Sequence, residues 1–381
     1  MQPVTRREIF RLSATGTLAA LLAACGINRP AAAPAPQSPA GPAAGETPVS
    51  PTVAAAPTEA TAGESAMAEG ASGTTHVAPV KAGEMRVTPN EDFYKVDIGR
   101  GTPKINPATY RLRIFGLVDN ELSLSLDDLK TMSSGTLMRT MECISNPVGG
   151  DLIGNAVWDV VPFATILEKA APKGGSVEII TRGADGFHTS IPIELARDPE
   201  AFLAFGMNGE PLPPDHGFPV RCLWPGRYGM KQPKWLTEIE VTDKPYTGYW
   251  ERQGWSNIAA IKVNSQIEQP TALEPITIGT PVTVSGRAMA GRSGVKKVEV
   301  STDNGETWHE AELTQVKTPL VWALWTYTWE TGDLPPGRHV LQARATDGDG
   351  VTQAGVGGGL LGGTFPEGTS RIHAVVVTLE S

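Results

Sequence analysis

The sequence predicts an α+β domain followed by an all-β sandwich of immunoglobulin size, the two preceded by a disordered tether. Three observations carry this prediction. From about Arg86 to Trp255, short apolar runs (TYRLRIFGLV, VEIITRG, FPVRCLW, LTEIEV) mix with helix-forming stretches, LSLDDLKTM and VPFATILEKA. In the second stretch Val161, Ile166, Leu167 and Ala170 fall on or near one helical face. Beyond Trp255 the texture changes to period two (VTVSGRAM, VKKVEVSTD, HVLQARATD, HAVVVTLES), with turn residues at Asp303-Asn304-Gly305 and Asp347-Gly348-Asp349-Gly350. Ahead of both, Ala, Pro and Gly fill 31 of the 55 positions from Gly26 to Val80, without one aromatic residue. Such a segment buries too little apolar surface to offset its ordering entropy. The expected layout is therefore a signal at 1–25, a linker at 26–85, the α+β domain at 86–255 and the sandwich at 256–381.

The first residues read as an export signal. Arg6, Arg7 and Arg11 flank the start of an apolar stretch, Leu12 to Ala24, too short to span a bilayer, which needs about 20 apolar residues. TRREIFR resembles a twin-arginine signal, and LAAC resembles the lipobox at which bacterial lipoproteins are cleaved and acylated. Cys25 is the expected lipid-bearing residue, which makes the chain an exported lipoprotein on the outer face of the cytoplasmic membrane or in the periplasm. An ordinary signal peptide with a chance cysteine is the alternative.

Composition removes several classes of function. A formal net charge of −9 over 381 residues argues against nucleic acid as a partner. Three cysteines, at positions 25, 143 and 222 and without a CxxC or CxxCH pair, fit neither a disulfide scaffold, a four-thiolate zinc site nor a c-type haem. The Asp347–Gly350 run lacks the other ligands of a calcium loop and reads as a solvated hairpin turn.

Two stretches could carry chemistry. In TMECISNPVGGDLIGNAVWDVV, Cys143 ends a β-like run and is followed by Asn146-Pro147 and the pair Gly149-Gly150, which permit close backbone approach to a ligand. An inert buried thiol, or a Cys143–Cys222 disulfide, is the plainer reading. In MNGEPLPPDHGFPVRCLWPGRYGMKQPKWLTEIEV, His216, Arg221, Arg227, Lys231 and Lys234 crowd into a stretch rich in Pro and Gly. Those residues disfavour helix and leave the cations on loops and a short strand, where they can converge on an anion or form a solvated basic face.

Both stretches resemble the molybdenum-cofactor domain of the sulfite oxidase superfamily: a Cys followed three residues later by Asn, and a later MNG-x-PLP-x-x-HG-x-P-x-R-x-x-x-PG…KWL pattern, matched from Met207 through Leu236. SQI at Ser265–Ile267, VEVSTDNGETW at Val298–Trp308 and the pair Trp322 and Trp325 resemble that family's C-terminal β-sandwich dimerisation domain. The resemblance implies a molybdenum-molybdopterin cofactor, Cys143 as the metal ligand, and Asn146, His216, Arg221, Lys231 and Lys234 around the cofactor, with the lysines matching more loosely. It further implies a homodimer and two-electron oxygen-atom transfer on a small oxo-acceptor or oxo-donor. No haem motif appears, so electrons are expected to pass to or from a separate partner, a cytochrome or a quinol enzyme.

The chain departs from the family where sulfite is held. Asn146 is followed by Pro147 and Val148 in place of two arginines. In DFYKVDIGR, Asp97 falls near an arginine position, with Lys95 and Arg100 as possible substitutes. Trp255, with Tyr249 close by, aligns with the family's linker tyrosine, and Arg371 resembles its C-terminal substrate arginine. Arg113 is a possible further cation or a plain strand residue. These changes point to an altered oxyanion pocket, and to the reduction of an S- or N-oxide as an alternative activity. A cofactor-free binding or adhesion lipoprotein built on the sandwich is the alternative from another class. A Cys–His hydrolase, pairing Cys143 with His188 or His216, lacks any local signature. Trp308, Trp322, Trp325 and Trp329 are expected in the core and the dimer contact.

Overall fold

The computed structural model describes residues 86–313, 318–355 and 363–381, which fall within one compact unit. The signal, Cys25 and the linker lie outside the described residues. Among the described residues no helix is long and apolar enough to cross a membrane.

Two sheets of five strands build the first domain. One has the order Leu122–Leu124, Leu112–Gly116, Leu236–Thr242, Glu178–Gly183, His188–Pro192, with a single parallel pair between Leu112–Gly116 and Leu236–Thr242. The other runs Gly135–Glu142, Ile153–Pro162, Phe202–Met207, Glu210–Pro211, with Arg221–Leu223 added to Phe202–Met207. Leu112, Ile114, Ile179 and Ile239 from the first sheet meet Val161, Leu203 and Cys222 from the second in one apolar cluster. Cys143 and Cys222 are both free thiols, which removes the disulfide reading.

The helices close the ends of this core. Ser125 caps Leu126–Thr131 through a capping box with Asp128. The second helix is Phe163–Ala170, which buries Phe163, Ile166, Leu167 and Ala170. Val161 is a strand residue and not part of that helical face: Pro162 caps the helix and leaves Val161 in Ile153–Pro162, still buried in the same cluster.

The second domain is a two-sheet β-sandwich. Asn264–Gln269, Val282–Met289, Ala323–Trp329 and Glu312–Leu313 form one sheet; Pro275–Thr277, His373–Glu380, Gly337–Asp347, Val295–Ser301 and His309–Glu310 form the other. Val284, Ala288, Trp325 and Trp329 face Val298, Leu341, Ala343 and Val377 across its core. Trp308 differs from the core expectation: it is only half-buried, with the Arg344 guanidinium 4.1 Å from its ring. The Asp347 carboxylate accepts hydrogen bonds from the Asp349 and Val351 N–H groups, which makes this segment a backbone-tied turn.

A third apolar cluster joins the domains, placing Ile144, Ile153, Tyr228 and Met230 against Ala259, Met289, Trp322 and Leu324. Polar bonds fix the register of this seam. The Thr140 N–H donates to Leu320 O (3.1 Å), and the Trp322 N–H donates to Thr140 Oγ1 (2.9 Å). The sandwich thus grips the strand that leads into Cys143.

Ile114 is completely buried between the two sheets of the first domain. Ile114→Ala is expected to cost about 2–5 kcal/mol of stability, read as a lower urea midpoint. A midpoint within error of the wild type would show that this cluster does not carry the domain.

Candidate active site

Cys143 follows the last residue of Gly135–Glu142, and the loop it opens returns at Leu152 to start Ile153–Pro162. The Cys143 N–H donates to Leu152 O (2.9 Å) and closes the loop, while the Asn146 N–H donates to Cys143 O (3.0 Å). Asn146 braces it from inside: Nδ2 donates to Glu142 Oε1 (3.1 Å) and Oδ1 accepts from the Leu152 N–H (3.0 Å). A side chain at Gly149 would collide with His373, and one at Gly150 with Asn146 and Pro147. The two glycines are therefore required by close packing.

The Cys143 thiol is buried and shares a hydrogen bond of 3.1 Å with Ser145 Oγ. Burial raises its pKa, and the Ser145 bonds partly offset that rise. Such a thiol is neutral unless a metal takes its proton. Glu142 is also buried; burial pushes its carboxyl up to about 7 against the amide donors of Asn146 and Asn264. Neither histidine of the hydrolase reading bonds the thiol. His188 Nδ1 pairs with the Tyr246 hydroxyl (2.9 Å), and the His216 Nε2–H donates to Asn90 O (2.7 Å).

The basic motif builds a second wall. His216 ends the turn Pro214–His216, and Arg221 opens the strand Arg221–Leu223. The Arg221 guanidinium lies 5.4 Å from the Trp158 ring and donates from Nη1 to His216 O (3.0 Å). Its Nε is buried without a hydrogen-bond partner, and among the described residues no carboxylate lies within ion-pair distance. Burial lowers its pKa to about 10. Lys234 Nζ donates to Asp215 O (2.9 Å) and lies 3.8 Å from Asp97; burial and then Arg221 lower its pKa to about 8.

Lys231 is placed differently. It is buried, and its Nζ pairs with Glu251 Oε1 at 2.6 Å, an oxygen that also accepts from Thr189 Oγ1. Its charge is thereby neutralised within the scaffold. Arg113 lies on the strand Leu112–Gly116 against Glu238 of the neighbouring strand (3.3 Å), which is the plain strand role. Lys95 pairs with Asp215 (3.1 Å), and Arg100 Nη1 donates to Asp185 O (3.3 Å). Trp255 is half-buried and edge-on to Phe365 at 5.1 Å. Arg371 is exposed, and its carbonyl accepts from Gln353 Nε2 (2.7 Å).

Sequence reasoning missed Tyr94, Glu142 and Tyr228. Tyr94 stacks on Phe93 at 5.4 Å, and its pKa is raised by burial and by Cys143 and Glu142, against an opposing effect of Arg221. Tyr228 is buried, its hydroxyl accepting from the Lys262 N–H (3.2 Å). Their only signal was adjacency to motifs already singled out.

Residues 100–250 match the model of the oxidoreductase molybdopterin binding domain, and residues 256–354 that of the Mo-co oxidoreductase dimerisation domain. Over 146 residues the chain is 34% identical to the uncharacterized oxidoreductase YuiH of Bacillus subtilis, spanning 38% of this chain and 72% of that protein. The chain belongs to the sulfite oxidase superfamily of molybdopterin-binding oxidoreductases. It is 31% identical to the mitochondrial sulfite oxidases of Drosophila melanogaster and Homo sapiens, matching 64% of this chain and 50% and 53% of theirs. It therefore spans about half the length of those sulfite oxidases. The fold is similar to that of the sulfane dehydrogenase SoxCD from Paracoccus pantotrophus, with a TM-score of 0.64 and 26% identity, covering 71% of this chain and 75% of that one.

The cofactor of this superfamily fits the residues present. A soft thiolate suits molybdenum, and Cys143 supplies a thiol at the mouth of a braced loop. The cofactor's anionic end suits a buried guanidinium that lacks a carboxylate, and Arg221 is such a group. Among the described residues no cluster of three or more His, Cys, Asp or Glu could hold a metal without such a cofactor.

Arg221→Met is expected to weaken cofactor retention roughly 10- to 100-fold, the worth of one charge-assisted hydrogen bond. Molybdenum and pterin content per chain after dialysis checks this; full retention would contradict it. Burial lowers the His216 pKa from 6.5 to about 4. The unfolded chain then binds the extra proton first, so this residue's contribution is complete above pH 6.5 and fades as pH falls toward about 4. The stability difference between wild type and His216→Gln should shrink over that window by about 2–3 kcal/mol in urea titrations, and a flat difference would refute it.

Proposed function

We propose that this chain is an oxygen-atom-transfer enzyme whose molybdenum is held by Cys143. The observation that supports this most is one buried thiol on a doubly braced loop, in the same domain as a buried guanidinium whose Nε has no partner. When bound, the molybdenum-molybdopterin group supplies the two-electron transfer. The chain's own residues do the holding. Asn146 keeps the loop closed, and Arg221 with His216 and Lys234 receives the cofactor's anionic end. Lys231, neutralised by Glu251, stiffens the turn Gly229–Lys231 from below.

The substrate side is poor in cations. Pro147 and Val148 follow Asn146, and Lys95 is paired with Asp215; the family resemblance alone nominates Arg371 and Trp255 for the substrate side. A dianion that leaves water needs paired charges, so this pocket favours a less charged sulfur or nitrogen centre over sulfite. Oxidation of such a centre and reduction of its S- or N-oxide are the two directions of one reaction at the same site. The names of the relatives, sulfite oxidase and sulfane dehydrogenase, support a sulfur centre. A lipid anchor at Cys25, a dimer through the second domain and a separate electron-transfer protein or quinol enzyme complete the reading, with the enzyme on the outer face of the cytoplasmic membrane or in the periplasm.

Cys143→Ser in molybdenum-loaded protein should lower dye-linked activity at least 100-fold and deplete the metal. Persistent molybdenum-dependent turnover would overturn the ligand assignment. Sulfite oxidation with ferricyanide should be slow and unsaturated at millimolar sulfite; a micromolar KM would overturn the reading of the pocket.

A further inference from the structure

Outside the site itself, Arg287, on the sandwich strand Val282–Met289, is heavily braced. It pairs with Glu268 at 3.0 Å, and the same carboxylate takes a two-pronged pair from Arg86, at 2.6 and 2.8 Å. Arg86 and Arg287 both lie against the Trp322 ring, at 5.0 and 5.1 Å. A guanidinium carrying one carboxylate and one aromatic face has little freedom to move. From that position Arg287 Nη2 donates to Gly150 O (3.2 Å), the carbonyl opposite Asn146 in the Cys143 loop.

The neighbouring residues act on the same loop. Gln266 is the cross-strand partner of Arg287. With its amide oriented to satisfy both neighbours, it donates to Gly150 O (3.0 Å) and accepts from Arg287 (2.8 Å). His373 packs its ring against Gly149, and its Nδ1 is fixed by the Ile267 N–H (2.9 Å). Three side chains from the second domain therefore converge on two consecutive glycines, which have no side chains with which to hold their own position. One carbonyl receiving two donors, one of them charged, is a stronger restraint than the loop's internal bonds give it.

We propose that Arg287, aided by Gln266, is a positioning residue for the thiol: the second domain sets the pose of the Cys143 loop, and through it the geometry at the metal. This rests on the reading that Cys143 holds the molybdenum. Residues that orient a ligand from behind tune the metal although they never touch it. The role differs from ordinary seam packing because it predicts an effect confined to one loop and visible in the metal's electronic signature.

The test uses the full-length, molybdenum-loaded protein with Arg287→Met and Arg287→Lys. In the Met variant, hydrogen exchange in peptides covering 143–152 is expected to quicken at least tenfold, with less than twofold change in peptides from 337–347. The molybdenum EPR signal should shift or broaden, and kcat should fall several-fold with KM little changed; the Lys variant should fall between Met and wild type. Unchanged exchange in 143–152, an unchanged EPR signal, or quickening spread evenly over the chain would each overturn the proposal. If the Met variant does not fold, Glu268→Gln, which loosens Arg287 without removing it, faces the same readouts. If Cys143→Ser keeps its molybdenum, the fault lies in the ligand assignment, and the exchange result alone then decides whether Arg287 positions the loop.

Discussion

A guanidinium stripped of water, resting on the Trp158 ring and lacking a carboxylate, is the constraint around which the first domain is arranged. Burying a charge that way is costly, and a fold tolerates it where something else neutralises the charge. Arg221 is held by the strand Arg221–Leu223, which is locked to Phe202–Met207, so the group cannot swing out to solvent. His216, Lys234 and Phe93 then close the space around it, with Phe93 edge-on to both Trp158 and His216. A cation held in place in this way lowers the ordering cost for any anion that pairs with it.

The second wall follows a different logic. Cys143 needs no charge partner, but it needs a fixed direction. Its loop is closed by main-chain bonds and braced by the Asn146 amide. The seam with the sandwich carries restraint from the far side through Thr140, Gly149 and Gly150. A domain whose family name is dimerisation also serves, within a single chain, as the backing of the site.

Much of this was legible in the sequence, for identifiable reasons. Period-two runs such as HVLQARATD and HAVVVTLES become the paired strands Gly337–Asp347 and His373–Glu380, because alternation is what a half-buried strand needs. Cys143, Asn146, His216 and Arg221 stood out because Pro and Gly around them leave polar side chains without a helix or a long strand to serve. What escaped was long-range. Nothing local links Lys231 to Glu251, twenty residues on, so the lysine read as a possible cofactor contact instead of half of a buried pair. Arg287 and Glu268 likewise read as ordinary alternating strand residues, and only tertiary pairing turns them toward Gly150. Val161 shows a smaller failure of the same kind: strand and helix share an apolar face across Pro162, and periodicity alone cannot find the boundary.

The Asn146-Pro147 pair has a further chemical consequence. Asparagine ages by deamidation when the amide nitrogen of the next residue attacks its side-chain carbonyl and closes a five-membered ring. Proline at 147 has no N–H with which to make that attack, and Asn146 Oδ1 is already engaged by Leu152. The amide that braces the thiol loop is therefore shielded from the commonest spontaneous damage to its residue type.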